Sequence, residues 1–291
     1  MAQFQKKRKS KLLKVLLGAG VFAAIAIASI CGVWANTADV QPRAAGDITV
    51  SGAVTGSYST LAEAYAAISS ATTGNVTITV NNNYTMTADD NTAMTTSLAA
   101  LPETVTVTHQ ATGTLTLPAT FTMPAGSKAS YVFSGNLAGA TSVANNRNTS
   151  FRVNSTKVTM KPTQQLFLGI IYMQADGGEF TLESGKLNAY QIYYGAAKTT
   201  FTVKTNAELY LAYRTDGTAI QKSDPGFANM KNVIHVYGKL TQNSANTTGS
   251  NQAVNELHMY NGSYTEMRAF GVFPGGGSAN GDRKTYGEWY Y

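Results

Sequence analysis

The chain of 291 residues carries 22 Lys and Arg against 16 Asp and Glu, a formal net charge of +6, with 43% hydrophobic and 13% charged residues and one cysteine. That composition excludes a charge-driven disordered tail and a coiled coil, and it leaves enough apolar material for a core. The surplus cations all lie in the first 14 residues, as Lys6, Lys7, Arg8, Lys9, Lys11 and Lys14, so residues 36–291 balance at 16 basic against 16 acidic groups and give no reason to expect a nucleic-acid partner.

The cationic stretch runs into the uncharged segment Val15–Ala35, and Val33-Trp34-Ala35 offers small residues where signal peptidase prefers them. Residues 1–35 therefore read as a signal peptide whose removal leaves Asn36 first. The alternative is an uncleaved anchor, since 21 residues without a charge suffice to span a bilayer. Either way the cationic side stays in the cytoplasm and the remainder is exported, secreted or held at the cell surface; membrane contact is expected only through that anchor. If Cys31 leaves with the signal, no thiol remains for disulfides, nucleophilic attack or thiolate ligation.

From Asn36 onward there are 38 threonines, many alternating with apolar residues. Val76-Thr77-Ile78-Thr79-Val80, Val105-Thr106-Val107, Leu115-Thr116-Leu117 and Phe121-Thr122-Met123 show the period-two pattern of half-buried strands. Asn81-Asn82-Asn83 and Asn145-Asn146-Arg147-Asn148 supply turn chemistry between strands. One helix is predicted: Thr60 caps it, Glu63 reaches back, and Leu61, Ala64, Tyr65 and Ile68 share a face. It reads as an end cap or as an ordinary surface helix.

A loose repeat organises the second half. Val158-Thr159-Met160, Phe180-Thr181-Leu182, Phe201-Thr202-Val203, Ile234-His235-Val236 and Leu257-His258-Met259 recur at steps of 22, 21, 33 and 23 residues. A second apolar position follows each, at Leu166 or Phe167, Leu187, Leu209, Leu240 and Tyr264, often across a glycine (Gly185, Gly238, Gly262). A third group comes later, at Ile171-Tyr172-Met173, Ile192-Tyr193-Tyr194, Leu211-Ala212-Tyr213 and Phe270-Gly271-Val272. The long step fits one repeat plus an insertion through Asp216–Asn229.

Three short strands per 21–23 residues with glycine at the corners suit an all-β fold, a parallel β-helix (β-solenoid) with a short N-terminal capping helix. An antiparallel sandwich or jelly roll is the competing architecture. The helix Tyr58-Ser59-Thr60-Leu61-Ala62-Glu63-Ala64, the strand Val76–Val80 and coils of the type Gly178-Glu179-Phe180-Thr181-Leu182 resemble the pectate-lyase-like β-helical domains of Gram-positive bacterial surface proteins. That resemblance implies a right-handed helix and an extracellular, adhesive role. The expected segments are 1–35 signal or anchor, 36–157 cap helix and irregular first coils, 158–273 regular coils, and 274–291 a Gly-rich linker with an aromatic tail. The tail reads either as a cap folding back on an open solenoid end or as the margin of a longer surface protein.

Catalytic signatures are weak. Asp89-Asp90 read as a solvated loop, and Glu179, Glu183 and Glu208 fall out of register for a glycosidase pair. His235 and His258 stack one coil above the other as an outward ladder or a metal pair lacking a third ligand, and His109 has no evident partner. No cofactor, no metal and no catalytic residue is expected. Tyrosines crowd the chain after residue 172; Tyr172, Tyr193, Tyr194 and Tyr213, with Asn188 and Gln191, are the candidate ligand-binding set, a platform for sugar rings or a ligand-free stabilising ladder. The reading is an exported surface or adhesion module whose partner is a glycan or a host or cell-wall surface component. A polysaccharide lyase or glycoside hydrolase on the same fold is the alternative, and a self-associating structural subunit the second.

Overall fold

The structure, a computed structural model, describes residues 46–144, 146–154, 156–196, 198–212, 216–217, 231–242, 256–267 and 288–290. The elements in order are β1 (Ile48–Gly52), β2 (Gly56–Tyr58), α1 (Leu61–Ile68), β3 (Gly74–Val80), β4 (Tyr84–Thr85), α2 (Ala88–Ser97), β5 (Val105–Thr116), β6 (Thr120–Thr122), β7 (Ser130–Ala138), β8 (Ser150–Val153) and β9 (Lys157–Pro162). They continue with β10 (Gln165–Met173), β11 (Gly178–Tyr194), β12 (Lys198–Leu211), β13 (Asp216–Gly217), β14 (Lys231–Val236), β15 (Lys239–Gln242), β16 (Glu256–Met259), β17 (Tyr264–Met267) and β18 (Glu288–Tyr290). The fold is all-β with mostly parallel pairing. Among the described residues only β1 runs antiparallel, to β2 and to β3.

Parallel pairing follows three ladders. The first joins β3, β5, β7, β9, β11, β12, β14, β16 and β18. A second joins β10, β11, β12, β15 and β17, and a third joins β6, β8, β10, β11 and β13. Long strands serve more than one ladder because they turn partway. β11 pairs with β9 through Leu182 and with β10 from Lys186, and Gly185, at φ +81°, lies between. A methyl on Gly185 would overlap the Pro162 carbonyl oxygen of the neighbouring strand, so the corner excludes both the usual φ and any side chain.

The repeated triplets lie in register, and their outer residues form the core. Val76, Val107, Tyr131, Val158, Phe180, Phe201, Ile234 and Leu257 stand side by side along the first ladder, all buried. Phe180 stacks on Phe201 at 4.8 Å and meets Phe151 of the third ladder edge-on at 5.8 Å. Between the inward rows the polar centres face out as Thr159, Thr181, Thr202, His235 and His258. Thr202 pairs directly with His235, so the long step is one pairing interval.

Two of the expected positions shift by register. Thr265, not Tyr264, stands beside Leu240; Tyr264 pairs with Lys239 and is 53% exposed. Leu211 pairs with Ala189 on the second ladder, and the third-ladder neighbours of Tyr193 and Tyr194 are Asp216 and Gly217. Leu211-Ala212-Tyr213 is thus not the third group of its repeat. Tyr213, most of the insertion, Phe270–Val272 and the segment 1–45 lie outside the described residues.

The helix over Leu61–Ile68 has the expected capping box, with Glu63 N–H donating to Thr60 Oγ1 and the Thr60 N–H donating to Glu63, and it buries Leu61, Ala64, Tyr65 and Ile68. The loop expected at Asp89-Asp90 is instead the first turn of α2. Its low apolar content hides it from a periodicity search, but Thr87 and Asp90 form a second capping box. Asp90 is 3% exposed: it accepts from the Thr87 hydroxyl, the Tyr84 hydroxyl and the Ala62 N–H of α1. Tyr84 in turn accepts from the Leu61 N–H, so three orphan donors at the start of α1 are satisfied by Thr60, Tyr84 and Asp90. No described helix is long and apolar enough to cross a membrane.

Candidate functional site

Period-two alternation orients the third ladder. Ile171 and Met173, like Ile192 and Tyr194, point into the core, so Tyr172 and Tyr193 between them face outward and half-buried. Register sets the two tyrosines directly opposite, with ring centroids 5.2 Å apart and planes tilted by 51°. Arg152 of β8 occupies the same position one strand earlier, and its guanidinium carbon lies 5.2 Å from the Tyr172 ring centre. Within that row the Arg152 Nε is buried and has no hydrogen-bond partner, so the ring face is its nearest compensation. The row thus offers a cation, a ring face and a second ring whose edge rises beside the first.

The other expected site residues are dispersed. Tyr194 is 1% exposed, its hydroxyl finds no partner, and burial pushes its phenol well above the usual range, so it is a core residue and no part of an exposed row. Asn188 lies on the second ladder between Phe167 and Tyr210. Gln191 pairs with Ile170 and is 7% exposed. Arg152 was not among the expected residues; the triplet Phe151-Arg152-Val153, apolar on both sides, was the available signal.

Carboxylates on the outward faces are paired with lysines from the strand before them. Lys157 meets Glu179 at 3.8 Å, Lys161 meets Glu183 at 2.7 Å and Lys186 meets Glu208 at 3.2 Å. The three glutamates are held apart on separate lysines, and they do not converge as an acid and base would need to.

The histidine ladder has the predicted stacking, with ring centroids 4.9 Å apart. His235 Nδ1 lies 2.9 Å from the Tyr260 hydroxyl and His258 Nε2 2.8 Å from Glu256. Burial, and next the charge of His258, lower the His235 pKa from its ordinary value. Tyr260 stacks on Tyr237 at 3.9 Å, and the close Tyr237 hydroxyl, with burial second, pushes its phenol up to about 12. Among the described residues no group of three or more His, Cys, Asp or Glu could hold a metal ion.

His109, expected to stand alone, is fully buried. Its Nε2 lies 2.9 Å from the Tyr65 hydroxyl of α1, and its ring stacks on Phe133 at 4.4 Å. Burial lowers its pKa to about 3, against a smaller opposing effect of the Val132 backbone. It takes the place that Ile78 and Met160 hold in the same inward row, so its work is structural.

Comparison with protein-family models, with curated proteins and with solved structures finds no match.

Proposed function

We propose that this chain is an exported, non-catalytic surface module with a parallel β-solenoid body capped by α1, and that it holds a glycan on the row Arg152, Tyr172 and Tyr193. The three ladders support the solenoid: each strand pairs with one about a repeat later, and the triplet spacing in the sequence coincides with the pairing register. Export rests on Lys6–Lys14 and the apolar run Val15–Ala35. The adhesive role follows the resemblance to pectate-lyase-like surface domains, with a cell-wall or host glycan as partner.

The observation that carries the binding half is the outward tyrosine pair, 5.2 Å apart, with the Arg152 cation on the far side of Tyr172. A sugar ring laid on one phenol face meets the edge of the other, and the two hydroxyls and the guanidinium supply directional hydrogen bonds. Each stacked aromatic contributes about 1 kcal/mol, so losing both rings weakens binding roughly thirtyfold.

A broad glycan array probed with the purified chain and with the Tyr172→Ala/Tyr193→Ala double variant tests this, with retained sugars checked for cleavage. Intact sugar held by the wild type and released by the variant is the expected result. Cleaved sugar would replace the reading by a carbohydrate-active enzyme. Retention of no sugar, or equal retention by both proteins, would remove the glycan role and leave the tyrosines as a stabilising ladder.

A further inference from the structure

The outward face of the second ladder carries a groove of about 210 Å³ whose lining includes neither Tyr172 nor Tyr193. Parallel register arrays two rows of side chains across it. One row is Gln165, Lys186, Glu208 and Lys239; the other, two residues further along each strand, is Asn188, Tyr210 and Thr241. That offset separates the rows by about 6–7 Å, the width of a single sugar-sized unit.

Charge and the polar groups of its wall characterise this groove. On the first ladder Lys157 and Lys161 each meet a glutamate of their own, whereas here Glu208 lies in register between two lysines. Lys186 takes it at 3.2 Å. Among the described residues Lys239 forms no ion pair, and its ammonium lies 5.6 Å from the Tyr264 ring centre. The nearest further acid by register is Glu266, opposite Thr241 on β17; it accepts from the Tyr264 hydroxyl at 3.3 Å and does not line the groove. Asn188 and Thr241 are only 7% and 8% exposed, both line the groove, and neither side chain hydrogen-bonds to a described residue. This amide and hydroxyl present polar atoms to the groove in which a ligand's hydroxyls would sit.

We propose that this groove binds one unit of a hydroxyl-rich molecule bearing a single negative charge, a phosphodiester or a carboxylate, with the anion at Lys239 and the hydroxyls on Asn188 and Thr241. One cation in excess of the carboxylates matches a monoanion. A volume below the roughly 300 Å³ at which drug-sized pockets begin fits one unit, not an extended ligand. Both cations are lysines, compact point charges without the guanidinium fork, so the site accepts phosphate as readily as carboxylate geometry.

This site does not depend on the tyrosine row, and one titration series separates the two. The purified chain is titrated calorimetrically with glycerophosphoglycerol, methyl glucuronoside, methyl glucoside and inorganic phosphate. The proteins are the wild type, Lys239→Gln, Asn188→Ala and the Tyr172→Ala/Tyr193→Ala variant. The phosphodiester or the glucuronoside should bind, and whichever does identifies the anion; loss of one charge-assisted contact weakens it about tenfold in Lys239→Gln. Asn188→Ala should weaken the same probe, and the tyrosine variant should bind it as the wild type does. Lys239 is exposed, so its substitution keeps the test valid even if Asn188→Ala fails to fold. The proposal is overturned if neither acidic probe binds at about 10 mM, if methyl glucoside binds the Tyr172→Ala/Tyr193→Ala variant as well as the acidic probes do, if inorganic phosphate alone accounts for all binding, or if Lys239→Gln leaves affinity unchanged.

Discussion

Asp90 and its neighbour Asp89 provide a matched pair for testing how the start of the fold is held. Replacing Asp90 with alanine removes the acceptor used by the Thr87 N–H at 2.9 Å, the Thr87 hydroxyl at 2.9 Å, the Tyr84 hydroxyl at 3.0 Å and the Ala62 N–H at 3.2 Å. Tyr84 is 3% exposed, so losing the carboxylate its hydroxyl donates to costs about 2 kcal/mol; Ala62 is half-buried and loses about 1 kcal/mol. Thr87 is exposed and water replaces much of its bond, leaving the loss of the box at about 1 kcal/mol. We therefore predict a destabilisation of about 4 kcal/mol, a fall in Tm on the order of 10 °C for a domain of this size. Asp89→Ala, exposed in the same first turn of α2, removes only a favourable charge near the helix N-terminus and costs about 0.5 kcal/mol. Urea and thermal unfolding of the two variants followed by circular dichroism decide the matter. Equal losses below about 1 kcal/mol in both would refute the buried polar knot and restore a solvated loop.

Two further outcomes follow from the core and its corners. His109 is held neutral with a pKa near 3, so between that value and its ordinary 6.5 the unfolded chain binds more protons than the folded one. Its contribution is fully present above about pH 6.5 and shrinks as pH falls, by up to about 1.4 kcal/mol per unit, and His109→Gln should flatten the stability profile between pH 6.5 and 4. An unchanged slope in that variant would assign the acid sensitivity to other groups. Gly177 and Gly185 share a φ of +81°, but only at Gly185 would a methyl overlap backbone. Gly177→Ala should cost about 1 kcal/mol for the left-handed conformation alone, and Gly185→Ala at least about 3 kcal/mol; equal losses in urea melts would mean the corner is not closed against Pro162.

The inward rows were legible because a fully buried apolar residue on either side of a polar one leaves a period-two trace, and Val158, Phe180, Phe201, Ile234 and Leu257 all fall in register. His109 followed the same phase, two residues after Val107, and was missed only because an imidazole is not counted as apolar. α2 was missed for a different reason: Ala88–Ser97 buries only Asp90, Asn91 and Met94, so no hydrophobic stripe announces it, although Thr87-x-x-Asp90 does. The site was legible only as a pair. Tyr172 and Tyr193 share a repeat position, but Tyr194 was assigned to the surface against the alternation, and Arg152 belongs to β8 in the stretch where spacing is ragged.

That asymmetry between core and surface has a physical cause with a consequence for function. Parallel register constrains the inward residue of each triplet through the strands on both sides and the ladder across the core, so Phe180 is held by Val158, Phe201 and Phe151 at once. The outward residue is not packed into the core, so its position tolerates different side chains: it is Thr in β9, β11 and β12 and His in β14 and β16. Chain can also be added between repeats without disturbing the ladder, as the 33-residue interval from Phe201 to Ile234 does while Thr202 still meets His235. A fold that fixes its core by stacking and leaves its outward rows free can change what it displays without changing how it folds. Side chains displayed together on such a body therefore come from distant points in the chain, as Lys186, Glu208 and Lys239 do at intervals of 22 and 31 residues, and their grouping becomes visible only when register brings them together.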